Sequence, residues 1–275
     1  MSATPIRWQA EAIWEAVAPR LPGFTIEVLP SIDSSNTELM RRARGGDTAP
    51  TLLVAEQQTA VRGRMGKTWV SSVGDSLMFS LALPLAPSDW SGLSLAVGQV
   101  LAEALQPAAS IASSSAPRMG LKWPNDLWLE GDRKLGGILI ETAMTTAHAP
   151  RHVVVGVGLN IRPRPETDLS MPPACLQELE PRWDAPAALA AVVPPLVACL
   201  QRFEREGFAP FHAAFDARDL LRGRNVRLSD GTEGRADGVD PDGALRVRTA
   251  AGIQRITSSE VSVRPSTDTA PGVSR

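Results

Sequence analysis

The run Thr51-Leu52-Leu53-Val54-Ala55, followed closely by Gln58-Thr59-Ala60-Val61-Arg62-Gly63-Arg64-Met65-Gly66-Lys67-Thr68-Trp69, decides how this chain is read. The apolar run has the length and make-up of a buried strand. The segment after it sets Arg62, Arg64 and Lys67 around Gly63 and Gly66. Glycines let backbone amides approach a ligand and cations neutralise anionic oxygens, so such a loop at a strand end suits phosphate. It is a near match to the phosphate loop G-x-x-x-x-G-K-[ST], with Gly66-Lys67-Thr68 in place but Val61 where the first glycine belongs. That loop must open a helix. Here Trp69-Val70-Ser71-Ser72-Val73-Gly74-Asp75 carries β-branched residues and a turn, and Ser76 to Leu83 reads as a strand. A P-loop nucleotidase is therefore disfavoured.

Composition narrows the classes. A chain of 275 residues holds one large domain and a small one. Hydrophobic residues at 43% and charged residues at 21% are those of a globular protein, and a net charge of -2 gives no global field for nucleic acid or membrane. Cys175 and Cys199 lack metal-ligand spacing and a disulfide framework is not expected; His148, His152 and His212 form no metal motif. No apolar run is read as long enough for a membrane span, and no signal-peptide core precedes Trp8, so the cytoplasm is the expected location.

Ala10, Ile13, Trp14 and Val17 recur at helical spacing, and Phe24, Ile26 and Val28 alternate as in a strand. Ser35-Asn36-Thr37-Glu38 matches a capping box with Ser35 as the cap, opening a helix that runs to Gly45-Gly46. Leu93 to Ala104 forms a long apolar helix ended by Pro107, and Ala108 to Pro117 reads as a mobile loop. Residues 137–141 and 153–158 read as neighbouring buried strands, and 185–206 and 209–220 as two helices. Past Leu221 short alternating segments separated by Asp-Gly and Pro-Asp-Gly turns indicate a small β-barrel that must lean on the main domain. The expected division is a catalytic domain over 1–221, the barrel over 222–265 and a disordered tail over 266–275.

Four blocks then stand in order: Ser34-Ser35-Asn36; Gln58 to Trp69; Lys122-Trp123-Pro124-Asn125-Asp126 with Arg133-Lys134-Leu135-Gly136-Gly137-Ile138-Leu139; and Gly156-Val157-Gly158-Leu159-Asn160. Together they resemble the biotin–protein ligases. The resemblance implies an α+β catalytic domain with a mixed sheet of the class II synthetase-like kind and a small SH3-like barrel. It implies ATP-dependent formation of biotinyl-5'-adenylate, then transfer of biotin to a lysine of a biotin carboxyl carrier protein, an acetyl-CoA carboxylase subunit. Biotin and ATP are then substrates and Mg²⁺ a cofactor, with no metal held by a protein motif. Lys134 and Arg64 become the expected catalytic residues. Ser34, Ser35, Asn36, Gln58, Arg62, Gly63, Arg64, Lys134, Gly137 and Gly156 become biotin-binding positions. Arg62, Arg64, Lys67, Asn125, Asp126 and Asn160 fall to ATP, with Asn125 and Asp126 also suited to orient the incoming lysine.

The chemistry fits these residue types. Hydroxyls and amides suit a ureido ring that both donates and accepts. Arginine forks grip two oxygens at once. A lysine between two anions offsets their repulsion by about 4 kcal/mol at 4 Å and an effective dielectric of 20. Each position also has a plainer reading: Ser35 as a helix cap, the basic loop as solvated surface, Lys134 as a turn lysine, Gly136, Gly137, Gly156 and Gly158 as tight sheet packing, Trp69 and Trp123 as core. Two departures from the family pattern, Val61 for a glycine and Lys67 for a frequent arginine, bear on how the loop closes over the adenylate. The stretch before Ser34 is too short for the DNA-binding domain of the repressor forms, so a ligase without DNA binding is expected. A homodimer is left open. The alternatives are a lipoate–protein ligase or octanoyltransferase-like enzyme and a non-catalytic biotin-binding protein.

Overall fold

The structure is a computed structural model that describes residues 6–60, 73–111, 115–144, 150–163, 172–257 and 263–265. The loop that holds Arg62, Gly63, Arg64 and Lys67 lies outside the described residues, as does the expected tail over 266–275.

The chain opens with α1 (Ala10–Val17), whose Ile13 and Val17 are buried, then β1 (Thr25–Leu29), α2 (Ser35–Arg44), β2 (Thr51–Ala55) and β3 (Ser76–Leu85). A long helix α3 (Leu93–Leu105) and a short α4 (Ala108–Ile111) lead to the hairpin of β4 (Met119–Lys122) and β5 (Asp126–Leu129). The long strands β6 (Arg133–Ala143) and β7 (Arg151–Asn160) follow. They assemble into a seven-stranded sheet of order β1-β2-β3-β7-β6-β5-β4. β1 and β2 run parallel and every other neighbouring pair antiparallel, so the sheet is mixed as expected.

Side chains alternate between the two faces of a strand, and here the alternation separates two cores. Leu52, Val54, Leu77, Phe79, Leu81, Val153, Val155 and Val157 face the larger one, under α1, α3 and α5 (Ala185–Glu206). Leu53, Ala82, Val154 and Ala143 face the other, where α2 lays down Leu39, Met40 and Ala43. The α2 face carries the candidate site.

Four readings need correction. The cap of α2 is Ser34, extended at φ -157, and not Ser35; Glu38 pairs with Arg41 and Arg42 instead of closing a capping box. The stretch after Pro107 begins as α4 rather than as loop. The helix placed over 209–220 is a 3-10 turn and α6 (His212–Asp216), ending sooner. And α5, 22 residues long, is apolar enough by length and composition to pass for a membrane span. It is a core helix: Leu189, Val192, Val193, Leu196, Leu200 and Phe203 are fully buried against the sheet and its neighbours.

After α6 come β8 (Asn225–Leu228), β9 (Glu233–Val239), β10 (Leu245–Thr249), β11 (Gly252–Ile256) and β12 (Val263–Pro265). They form an antiparallel five-stranded sheet of order β11-β10-β9-β8-β12. This sheet does lean on the larger one. Trp123 donates its indole N–H to the carbonyl of Gly243 at 3.1 Å, and Arg224 grips Asp132 through both oxygens at 2.6 and 2.7 Å. A side chain on Gly243 would come within 2.7 Å of Gly92 Cα, so the contact is close-packed.

Candidate active site

Two polar clusters stand on the α2 face of the sheet. The first gathers around the start of α2. Ser34 accepts from Thr37 N–H, which leaves the Ser35 hydroxyl for other partners. An isolated bridge between Ile32 and Gln58 continues the β1–β2 pairing and brings Gln58 beside it. Ser35 N–H donates to Gln58 Oε1 at 3.3 Å, Gln58 Nε2 donates to Ser35 Oγ at 3.0 Å, and Ser35 Oγ lies 2.7 Å from Ser80 Oγ. Ser80 Oγ in turn donates to Asn36 Oδ1 at 2.6 Å. Asn36 Nδ2 donates to Glu141 Oε2 at 3.0 Å and to the Leu139 carbonyl at 3.3 Å. Ser34, Ser35, Asn36, Gln58 and Ser80 are all buried. Gly156 sits beneath: a Cβ there would meet Asn36 Oδ1 at 2.1 Å, so the room this glycine leaves is filled by the asparagine.

The second cluster is ionic. Lys122 and Asp126 face each other across the β4–β5 hairpin. Lys134 Nζ lies 2.8 Å from Asp126 Oδ1, and Lys122 Nζ lies 3.7 Å from Asp126 Oδ2 and 5.0 Å above the Trp128 ring. Two cations thus share one carboxylate. Lys122 is 6% exposed, and its carboxylate and aromatic neighbours offset the cost of that burial. Asn125 closes the hairpin turn, its Nδ2 donating to the Ile138 carbonyl at 2.6 Å while its own carbonyl accepts from Ile138 N–H. Asn160 Nδ2 donates to the carbonyls of Lys134 and Ala174, clamping the backbone beneath Lys134. These amide nitrogens of Asn125 and Asn160 bond backbone carbonyls at the base of the charged cluster.

Glycines floor the space between. Gly137 is opposite Gly158 in the β6–β7 register, and both are only half-buried. A Cβ on Gly137 would have Lys134 Nζ and Asp126 Oδ1 at 3.5 Å, ordinary contact distance. Gly137, Leu139 and Glu141 alternate along one side of β6, so the ionic cluster and the Asn36–Glu141 contact lie at opposite ends of a strip about 13 Å long, at about 3.3 Å per residue. The structure thus brings Ser34, Ser35, Asn36, Gln58 and Gly156 to one end and Asn125, Asp126, Lys134, Gly137 and Asn160 to the other. The segment that leads into the cationic loop is tied to the first end, Thr59 and Ala60 N–H donating to the carbonyls of Ile32 and Asp33.

Three members were missed from the sequence. Ser80 interrupts the apolar run Leu77 to Leu83 of β3, and Glu141 directly follows Ile138-Leu139-Ile140 of β6, each at a position whose period-two face is that of α2; that misplaced polarity was the available signal. Lys122 was visible in its block but given no role.

Residues 28–160 match the profile of the Biotin/lipoate A/B protein ligase family, and residues 223–264 that of the Biotin protein ligase C terminal domain. The chain is 35% identical over 255 residues to the Bifunctional ligase/repressor BirA of Escherichia coli (strain K12), covering 89% of this chain and 76% of that protein. It is 32% identical over 242 residues to the Biotin--[acetyl-CoA-carboxylase] ligase of Paracoccus denitrificans, covering 85% of this chain and 98% of that one. The chain belongs to the biotin/lipoate A/B protein ligase family, on its biotin protein ligase branch. A ligase of that branch from Aquifex aeolicus, solved with biotin and ATP, superimposes with a TM-score of 0.73 at 28% identity, over 88% of this chain and 99% of that one.

Proposed function

We propose that this ligase joins biotin to the α-phosphate of ATP, releasing pyrophosphate, and then passes the biotinyl group to a lysine amine of a carrier protein, releasing AMP. The observation that carries the reading is the pairing of opposite chemistries on one glycine-floored strip: a neutral hydrogen-bonding cluster at one end and Lys134, held 2.8 Å from Asp126, at the other. A ligand with a neutral polar ring and a carboxylate on an apolar chain fits that polarity.

In this reading the ring meets Ser34, Ser35, Asn36 and Gln58, the chain crosses Gly137 and the end marked by Gly156, and the carboxylate reaches Lys134. Lys134 screens the repulsion between that carboxylate and the α-phosphate, and its fixed position means no reorganisation is needed as charge shifts. Asp126 holds Lys134 in place and orients the incoming amine. Arg62, Gly63, Arg64 and Lys67 supply the phosphate-facing loop, and Asn125 and Asn160 support the nucleotide end. The carrier is a biotin carboxyl carrier protein, the acetyl-CoA carboxylase subunit; the Paracoccus denitrificans relative, named for that carboxylase, supports this.

No cage of protein side chains alone for Mg²⁺ is present among the described residues. Among the described residues no group of three or more histidine, cysteine or acidic side chains could hold a metal, and both Asp126 oxygens face lysines. Mg²⁺ is proposed only as the companion of ATP's phosphates.

The test is pyrophosphate exchange into ATP with biotin, lipoate or octanoate added in turn, then transfer of labelled biotin to the carrier. Exchange with biotin alone is expected. Exchange with lipoate or octanoate instead would move the chain to the lipoate branch, and no exchange with any acid would leave an acyl-carrier transferase or a non-catalytic binding protein.

A further inference from the structure

The hydrogen bonds of the first cluster run in one direction, and the direction can be read from the valence of each group. Asn36 Nδ2 faces only acceptors, the Leu139 carbonyl and Glu141 Oε2, so Asn36 Oδ1 must be the atom that faces Ser80. An amide oxygen only accepts. Ser80 therefore spends its single hydroxyl hydrogen on Asn36, at 2.6 Å. Ser35 Oγ, 2.7 Å from Ser80 Oγ, must then be the donor of that contact. With its hydrogen directed at Ser80, Ser35 Oγ receives Gln58 Nε2 at 3.0 Å, and this fixes the Gln58 amide with Oε1 on Ser35 N–H. The donors point in sequence from Gln58 through Ser35 and Ser80 to Asn36 and Glu141.

From this order we infer that Ser80 is the positioning residue of the biotin-facing end, and that it makes this end an acceptor of ligand N–H groups. The inference rests on the ligase reading. Ser80 is fully buried on β3 and opposite Gly156, so it acts through Ser35 and Asn36 and does not touch the ligand. By holding the Ser35 hydrogen inward, it leaves Ser35 only lone-pair capacity to offer. Glu141 Oε atoms, half-buried at the end of the chain, are acceptors as well. A cyclic urea presents two N–H donors and suits such a wall; a dithiolane or an alkyl chain presents none. Ser80 thus contributes to discrimination between biotin and lipoate without meeting either. Without the Ser80 hydroxyl, Asn36 Oδ1 loses its donor and the Ser35 hydrogen is free to turn, so the fixed acceptor array is lost.

The experiment compares wild-type protein with Ser80→Ala in pyrophosphate exchange, measuring KM for biotin, KM for ATP and kcat, with lipoate as the competing acid. The expected result is a rise of about tenfold in KM for biotin, the scale of one buried hydrogen bond. KM for ATP and kcat should stay within twofold, and the ratio of biotin to lipoate exchange should fall. Ser80→Cys, of similar size and a weak donor, should shift in the same direction by less, and it serves in place of the alanine variant if that one fails to fold. An unchanged KM for biotin in a folded variant, or equal changes in both KM values, overturns the inference alone. Absence of biotin-dependent exchange in the wild-type protein overturns the ligase reading beneath it.

Discussion

The two ends of the strip share a sheet face and differ in kind. At the α2 end Ser35, Asn36, Gln58 and Ser80 form a buried chain closed by Glu141, with every shown donor meeting an acceptor. At the hairpin end Lys122 and Lys134 share Asp126, and the Lys134 side chain stays 30% exposed. The hydrogen bonds of the first end orient its dipoles, so in the proposed reading it discriminates by shape and by donor pattern. The second carries an excess of positive charge. Its interactions change with the charge of whatever arrives, which is what a reaction between two anions requires.

Lys134→Ala tests the charged end most directly. Adenylation, read as biotin-dependent pyrophosphate exchange, should fall about 10²–10³-fold, the loss expected for one electrostatic stabiliser. An unchanged kcat would remove Lys134 from the chemistry and dissolve the contrast. Next comes Asp126→Asn against Lys122→Met. Breaking a fully buried pair costs about 3–5 kcal/mol; because Lys134 is partly solvated, about 2–3 kcal/mol is expected for Asp126→Asn. Lys122→Met removes the buried charge with its need for a partner and should cost less. Urea denaturation gives both values, and equal costs would show that charge pairing does not organise this end.

How much of this was legible in the sequence follows from range. The period-two strands and the turn residues are local signals, and they marked the main strands and the small β-module; the mixed sheet and the candidate site residues came from the family resemblance that the four blocks carry. The cap was misassigned by one residue because Ser34 and Ser35 are chemically alike; only the backbone, extended at Ser34, separates them. Ser80 and Glu141 stood out locally only as misplaced polarity; their partners lie more than forty residues away in sequence, so that signal could mark the positions but not say what they bond. Lys122 was read as part of a motif and not as a charge whose burial demands a partner. The length of α5 shows the opposite fault: its apolar character is plain from the sequence, but that its apolar residues meet the core of this fold is a tertiary fact.

The same substitution at the two ends should have different causes. Gly156→Ala drives a methyl to 2.1 Å from Asn36 Oδ1, so the amide must move and the chain of hydrogen bonds with it. A destabilisation of about 1–3 kcal/mol is expected from such overpacking, with a raised KM for biotin. Gly137→Ala meets nothing closer than 3.5 Å and should leave the melting temperature near that of the wild type. It raises KM for biotin only by filling the floor. If both variants lose stability alike, the floor at Gly137 is not open, and the two-ended strip must be redrawn.

The smallest effect is expected where the second sheet braces the charged end. Arg224 grips Asp132 in the turn just before β6, two residues from Lys134, and the Arg224 hydrogen bonds hold the Asp132 carboxyl below its ordinary value. Both side chains are more than a third exposed, so solvent screens the pair and Arg224→Ala should cost less than about 1 kcal/mol. The sign in pH follows from the lowered value. The folded state resists protonation of Asp132 more than the unfolded chain does, so the contribution is present above the ordinary value of 3.8 and is lost as pH falls through the folded one. The stability difference between wild type and Arg224→Ala, measured by urea titration, should therefore hold at neutral pH and shrink in acid. At neutral pH the exchange rate of the variant should stay near that of the wild type, because Asp132 reaches the charged cluster only through its Coulombic interaction with Lys122 and makes no hydrogen bond to Lys134 or Asp126 that the structure gives. A loss of exchange there would mean that the small sheet sets the position of Lys134, and the contrast between the two ends would extend to a third element of the fold.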